Sequence, residues 1–247
     1  MDALLVATGV AVFAGAALQA ATGFGFALLA APLAFAALDP HEAIGLLLVL
    51  GTEIGVLTLA TEDRRPRPMV RRCVVVLAWA VPAAVAGVAV LRALDAVALQ
   101  IAVSLGVAAT LIVRRRVPAE RSGKEPRWAG PATGLSAGAL VTSTNTSGPP
   151  LLLYMLGRGE EPARVRDTLT VMQLGLSVIG AVALAATSTS DAVPSTGLIA
   201  VFVPLVLVAQ LAGRPLFAGL AARGHYEPVL NATLLVAVAA GLATAVL

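Results

Sequence analysis

The feature that most constrains this chain is a succession of apolar runs, most of them roughly 18 to 20 residues long. That is the length of helix needed to cross about 30 Å of hydrocarbon. The first lies at about 3–20, followed by a shorter one at about 24–38 that is interrupted by Gly23, Gly25 and Pro32. Others fall at about 43–61, 73–91, 96–113, 129–142, 149–157, 168–187, 196–213 and 229–247. An open sheet leaves backbone groups unsatisfied in lipid, so runs of this kind read as helices. Of the 247 residues, 58% are apolar and only 13% charged, against about a quarter charged in a soluble domain. The expected fold is an all-α integral membrane protein, a polytopic bundle of about eight to ten segments.

The net charge of +3 does not point to nucleic acid, because the cations collect in short loops between apolar runs. Arg64, Arg65, Arg67, Arg71 and Arg72 stand in one loop, and Arg114, Arg115, Arg116, Arg121, Lys124 and Arg127 in another. Cytoplasmic loops carry the Lys/Arg excess, which places 62–72 and 114–127 in the cytoplasm and the chain in the cell membrane, multi-pass. Two crossings separate these loops, so the parity agrees. The link with Arg158, Arg164 and Arg166 reads as cytoplasmic too. The lone cysteine, Cys73, and the distant His41 and His225 offer no metal set, and no cofactor is expected.

The two halves resemble each other. GAALQAATGFGFALLAAPLAFAALDPHEAIGLLLVLGTEIG (Gly15 to Gly55) aligns with GALVTSTNTSGPPLLLYMLGRGEEPARVRDTLTVMQLGLSVIG (Gly138 to Gly180), with Gly15 on Gly138, Gly25 on Gly148 and Asp39-Pro40 on Glu161-Pro162. Each copy has an apolar run, a Gly/Pro/Thr break, a short apolar run, an acid-Pro link and a longer helix. The first link reads as external and the second as internal, so the repeats are inverted, with broken or re-entrant helices near the midplane. Secondary transporters are built in this way. The division expected is 1–113 for the first membrane repeat, 114–127 for a basic linker and 128–247 for the second repeat.

The breaks are the expected substrate site. Thr22, Gly23, Phe24 and Gly25 form the first, and Thr144, Asn145, Thr146, Ser147 and Gly148 the second. A half-helix that starts at the midplane presents free N–H groups and a positive dipole end, which suit an oxyanion. The competing reading is that the small residues only permit close helix packing. Glu53, near the centre of its run, is a proton-coupling candidate, since an acid at that depth is costly. Gln19 and Gln173 are secondary candidates, with interhelical hydrogen bonding as the plainer role. Arg166 and Asp167 read as an interfacial anchor.

At these breaks the chain resembles the TauE/SafE family of sulfite and organosulfonate exporters. The residues that carry the likeness are Thr22-Gly23-Phe24-Gly25-Phe26 with Ala31-Pro32, and Ser147-Gly148-Pro149-Pro150 with Tyr154. The resemblance implies a secondary transporter exporting a small sulfur-containing anion such as sulfite or sulfoacetate, driven by the membrane potential or by protons. The alternative is a transporter or channel for another small anion. The expected partners are that anion and the lipid bilayer, with the protein a monomer or homodimer. An enzyme is not expected, because Glu53 is the one acid deep in a run. No GxxxxGK[ST] loop supplies an ATP motor.

Overall fold

A computed structural model describes residues 3–62, 64–95, 97–99, 101–102, 126–155, 160–187 and 193–222. Most of the expected run at 96–113, all of that at 229–247, His225 and most of the 114–127 linker fall outside these residues. The helices are α1 (Ala3–Thr22), α2 (Phe26–Ala37), α3 (Pro40–Ala60), α4 (Val70–Ala93), α5 (Ala129–Ser143), α6 (Gly148–Met155), α7 (Pro162–Thr187) and α8 (Thr196–Ala222). No strand occurs among the described residues. Five helices there are long and apolar enough to cross a membrane, within α1, α3, α4, α7 and α8.

Local chemistry sets the element boundaries. Asp39 caps α3, its Oδ1 accepting the His41 N–H at 2.9 Å, and Pro40 takes the first turn, where a missing N–H costs nothing. Pro162 likewise opens α7, so this helix begins within the acid-Pro link, earlier than the expected 168. Three helices, α2, α5 and α6, are shorter than a full span over the described residues. At 1.5 Å per residue, α2 reaches about 18 Å, α5 about 22 Å and α6 about 12 Å.

α2 and α6 each fold back on the helix before them. Thr8 of α1 donates to the Leu33 carbonyl of α2 at 3.2 Å, making an antiparallel hairpin with its tip at 23–25. At Gly15 an added Cβ would lie 2.7 Å from the Phe26 carbonyl oxygen, so the two backbones nearly touch. The second hairpin is α5–α6, with its tip at 144–147. Gly130 near its start lies close to the Tyr154 hydroxyl near its end.

The long helices frame these hairpins. α4 and α5 run parallel, and Cβ atoms at Gly134 and Gly138 would overlap the Val76 and Ala80 carbonyl oxygens. The Thr142 hydroxyl donates to the Ala84 carbonyl at 2.8 Å, tying the same pair further along. α1 and α8 also run parallel, with Gly9 beside Leu205 and Gly213 against the Ala17 backbone. α3 and α7 are antiparallel, Gly51 facing Ser177 and Gly55 facing Leu174. Small residues at these seams let helices approach where lipid gives no hydrophobic drive to associate. Gln210, buried in α8, joins three helices, accepting from Thr58 at 3.3 Å and donating to the Ala16 carbonyl at 3.2 Å.

One end of the bundle gathers the end of α3, the starts of α4, α5 and α7 and the end of α6. There Arg72 and Arg164 share Glu160, at 3.3 and 3.7 Å. At the opposite end Glu42 accepts the Ser195 N–H at 3.0 Å, and Arg92 donates to the Thr187 carbonyl. The two hairpins therefore enter from opposite ends.

Candidate functional site at the facing helix breaks

The first break turns on two glycines. α1 ends at Thr22, whose side chain lies outside the described residues. The Gly23 N–H then closes on the Gln19 carbonyl at 2.8 Å with φ of 82°, a left-handed helix end that glycine accepts without strain. Gly25 follows at φ of 115° and precedes α2. Gly25 brings no side chain to cap α2, and Gln19 reaches across instead, its Oε1 accepting the Phe26 N–H at 3.1 Å. One of the donors expected to be open to a ligand is thus engaged by Gln19.

The second break is richer in hydroxyls. Asn145 adopts φ of 55°, a conformation that asparagine tolerates better than most residues. Thr144 and Thr146 pair through their hydroxyls at 2.7 Å. The Ser147 hydroxyl donates to Gln173 Oε1 at 2.8 Å, which turns the Gln173 Nε2 amide toward Gly148. Pro149 and Pro150 occupy the first turn of α6, where two missing N–H groups leave no broken bond.

The two breaks touch. A Cβ built on Gly148 would stand 3.4 Å from the Phe24 ring and 3.6 Å from Gln173 Nε2. Gly23, Phe24 and Gly25 are buried, as are Thr144, Asn145, Thr146, Ser147 and Gly148. Of the secondary candidates, Gln19 holds the first break and Gln173 holds the second. Glu53 is not brought there. It shares a face of α3 with the exposed Val49 and Val56, opposite the Gly51 and Gly55 face that meets α7. Its Oε2 is buried with no hydrogen-bond partner among the described residues.

Arg166 and Asp167 are more than an interfacial anchor, being only 5% and 3% exposed. Arg166 donates to Glu62 Oε2 at 2.6 Å and to the Ala20 carbonyl at 2.8 Å. Its backbone lies against Gly23, where an added Cβ would be 2.9 Å from the Arg166 carbonyl oxygen. A guanidinium therefore sits at the C-terminus of α1, where the helix dipole favours a cation. Asp167 accepts from Arg64 at 2.8 and 2.7 Å and from the Arg67 N–H at 2.7 Å. The hydrogen bond to Asp167 raises the Arg64 pKa above its ordinary value, against the lowering effect of burial. The sequence placed Arg166 one turn after Pro162 but carried no signal of the side to which it turns.

Helices of membrane-crossing length, folded with two polar breaks packed against each other, define a multi-pass membrane protein. The family model described as sulfite exporter TauE/SafE matches residues 7–243. The chain belongs to that family, whose members are membrane transporters rather than enzymes. Neither a curated protein nor a solved structure matches the chain.

Proposed function

We propose that the protein is a secondary transporter that exports a small sulfur oxyanion or organosulfonate, sulfite being the first candidate, and that the facing breaks bind it. The observation that carries the reading is the contact between Gly148 of one break and Phe24 of the other. It gathers the hydroxyls of Thr144, Thr146 and Ser147 and the Gln173 amide beside a second reversal of the chain. Hydroxyl, amide and backbone N–H donors match an oxyanion without fixing it as tightly as a buried salt bridge. Arg166 beneath the first break adds positive potential, tempered by Glu62.

An inverted repeat is supported by the packing. Exchanging α1 with α5, α2 with α6, α3 with α7 and α4 with α8 maps the α1/α8 pair onto the α5/α4 pair. It leaves the central α3/α7 pair in place. Hairpins entering from opposite ends accord with alternating access around a midplane site. The arginine-rich end is assigned to the cytoplasm. An inside-negative potential then favours anion exit by about 2.3 kcal/mol per charge per 100 mV. Glu53 is the proposed proton carrier, acting from α3 rather than from the breaks.

The close packing of the breaks favours a carrier over an open pore. Purified protein is screened for thermal stabilisation by sulfite, thiosulfate, sulfoacetate, taurine and sulfate, then reconstituted for flux of each hit. Saturable flux of a sulfur anion supports the reading. Well-folded protein that neither binds nor moves any of them removes the sulfur-anion assignment.

A further inference from the structure

A cavity of about 540 Å³ opens at the arginine-rich end, away from both breaks. Among the described residues its wall carries Arg71, Arg72, Arg127 and Arg164 and one carboxylate, Glu160, with Tyr154 alongside. Glu160 is shared by Arg72 at 3.3 Å and Arg164 at 3.7 Å, so cations outnumber carboxylates on the described lining. Neither Arg166 nor any residue of the two breaks lines it. The charged groups come from three places in the chain: the first turn of α4, the approach to α5, and the link into α7 with its first turn.

The rim adds a second observation. Val70, on the cavity wall, is 64% exposed, and Trp128, next to Arg127, is 69% exposed. Exposed apolar and indole surface at a helix end marks the level of the lipid headgroups. Arginine forks match the paired oxygens of tetrahedral oxyanions. Basic pockets at the cytoplasmic ends of membrane helices suit phosphate-bearing headgroups in the same way. The volume lies within the range of small-molecule sites.

We infer that this cavity is a second oxyanion site, separate from the breaks, which takes a phosphate- or sulfate-like group carried by a free anion or by an anionic lipid. Its occupancy does not depend on which solute the protein transports.

The test is binding to the full-length protein, read as thermal stabilisation. One arm titrates inorganic phosphate and sulfate into delipidated protein in neutral detergent, with chloride holding the ionic strength constant. The other compares nanodiscs of phosphatidylcholine with nanodiscs containing phosphatidylglycerol. Arg71→Gln/Arg127→Gln removes two cations from exposed positions, and Arg127→Lys keeps the charge but loses the fork. Stabilisation in the first arm, weakened about tenfold or more in the double variant, identifies a free-anion site. Stabilisation by phosphatidylglycerol alone, weakened in the same variant, identifies a headgroup site. No stabilisation in either arm, or equal stabilisation of the wild type and both variants, overturns the inference. Ser147→Ala is expected to leave this binding unchanged, which separates it from the break site.

Discussion

The guanidinium of Arg166 donates to Glu62 Oε2 at 2.6 Å while its other terminal nitrogen holds the Ala20 carbonyl at 2.8 Å. One side chain of α7 thus joins the end of α1 to the loop after α3, directly beneath the first break. Arg166→Gln leaves a carboxylate and a helix-end carbonyl without their donor. The expected loss is about 3 kcal/mol of stability, read as a fall in the unfolding midpoint in detergent. Arg166→Lys is expected to recover only part of it, since an ammonium lacks the fork that spans both acceptors. An unchanged midpoint in Arg166→Gln would show that the pairing contributes nothing to stability.

The neighbouring pair makes a second test. Asp167 accepts three bonds, two from Arg64 and one from the Arg67 backbone. Asp167→Ala is expected to cost about 2 kcal/mol and Arg64→Ala less, because the arginine is partly solvated. A double-mutant cycle is expected to give a coupling of about 1 kcal/mol. Strict additivity would place the cost in the backbone bond instead.

Helix seams predict opposite outcomes for chemically similar changes. At Gly138 a Cβ would overlap the Ala80 carbonyl, whereas at Gly197 a Cβ meets nothing within 4 Å. Gly138→Val is expected to destabilise by more than about 2 kcal/mol, and Gly197→Ala to be neutral or to stabilise by a few tenths up to about 1 kcal/mol. Thermal unfolding of the two variants side by side reads the difference, and comparable losses would contradict the α4/α5 packing.

Proton coupling is tested at Glu53. If its carboxyl carries the proton, Glu53→Gln flux is expected to become independent of pH over the range where the wild type varies. Wild-type pH dependence retained in Glu53→Gln assigns the proton elsewhere.

Much of the architecture was legible because hydropathy and punctuation encode it directly. Run lengths marked the spanning helices, and the Thr-Gly-Phe-Gly and Ser-Gly-Pro-Pro sequences marked the breaks, though not whether the chain reverses there. Asp39-Pro40 and Glu161-Pro162 were legible as links, but the helices start inside them, at Pro40 and Pro162, rather than at the expected 43 and 168. The pairing of distant side chains was not legible. Nothing in the order of residues says that Arg166 would turn toward Ala20 and Glu62, or that Gln210 would bridge α1 and α3. Such pairings depend on helix rotation and on which helices are neighbours. Glu53 shows the same limit, since its depth was plain and its direction, away from the α7 seam, was not.

The facing breaks are the proposed anion path. Its most direct test is saturable sulfite flux in proteoliposomes, compared between wild type, Gly148→Ala, Gly148→Val and Ser147→Ala. A methyl at Gly148 meets Phe24 at 3.4 Å and is expected to be tolerated, whereas the larger Val displaces the ring. Saturable flux is expected in wild type and Gly148→Ala, and at least about a tenfold loss in Gly148→Val and Ser147→Ala, equivalent to about 1.4 kcal/mol, with unfolding midpoints preserved. Wild-type flux in folded Gly148→Val and Ser147→Ala would contradict it.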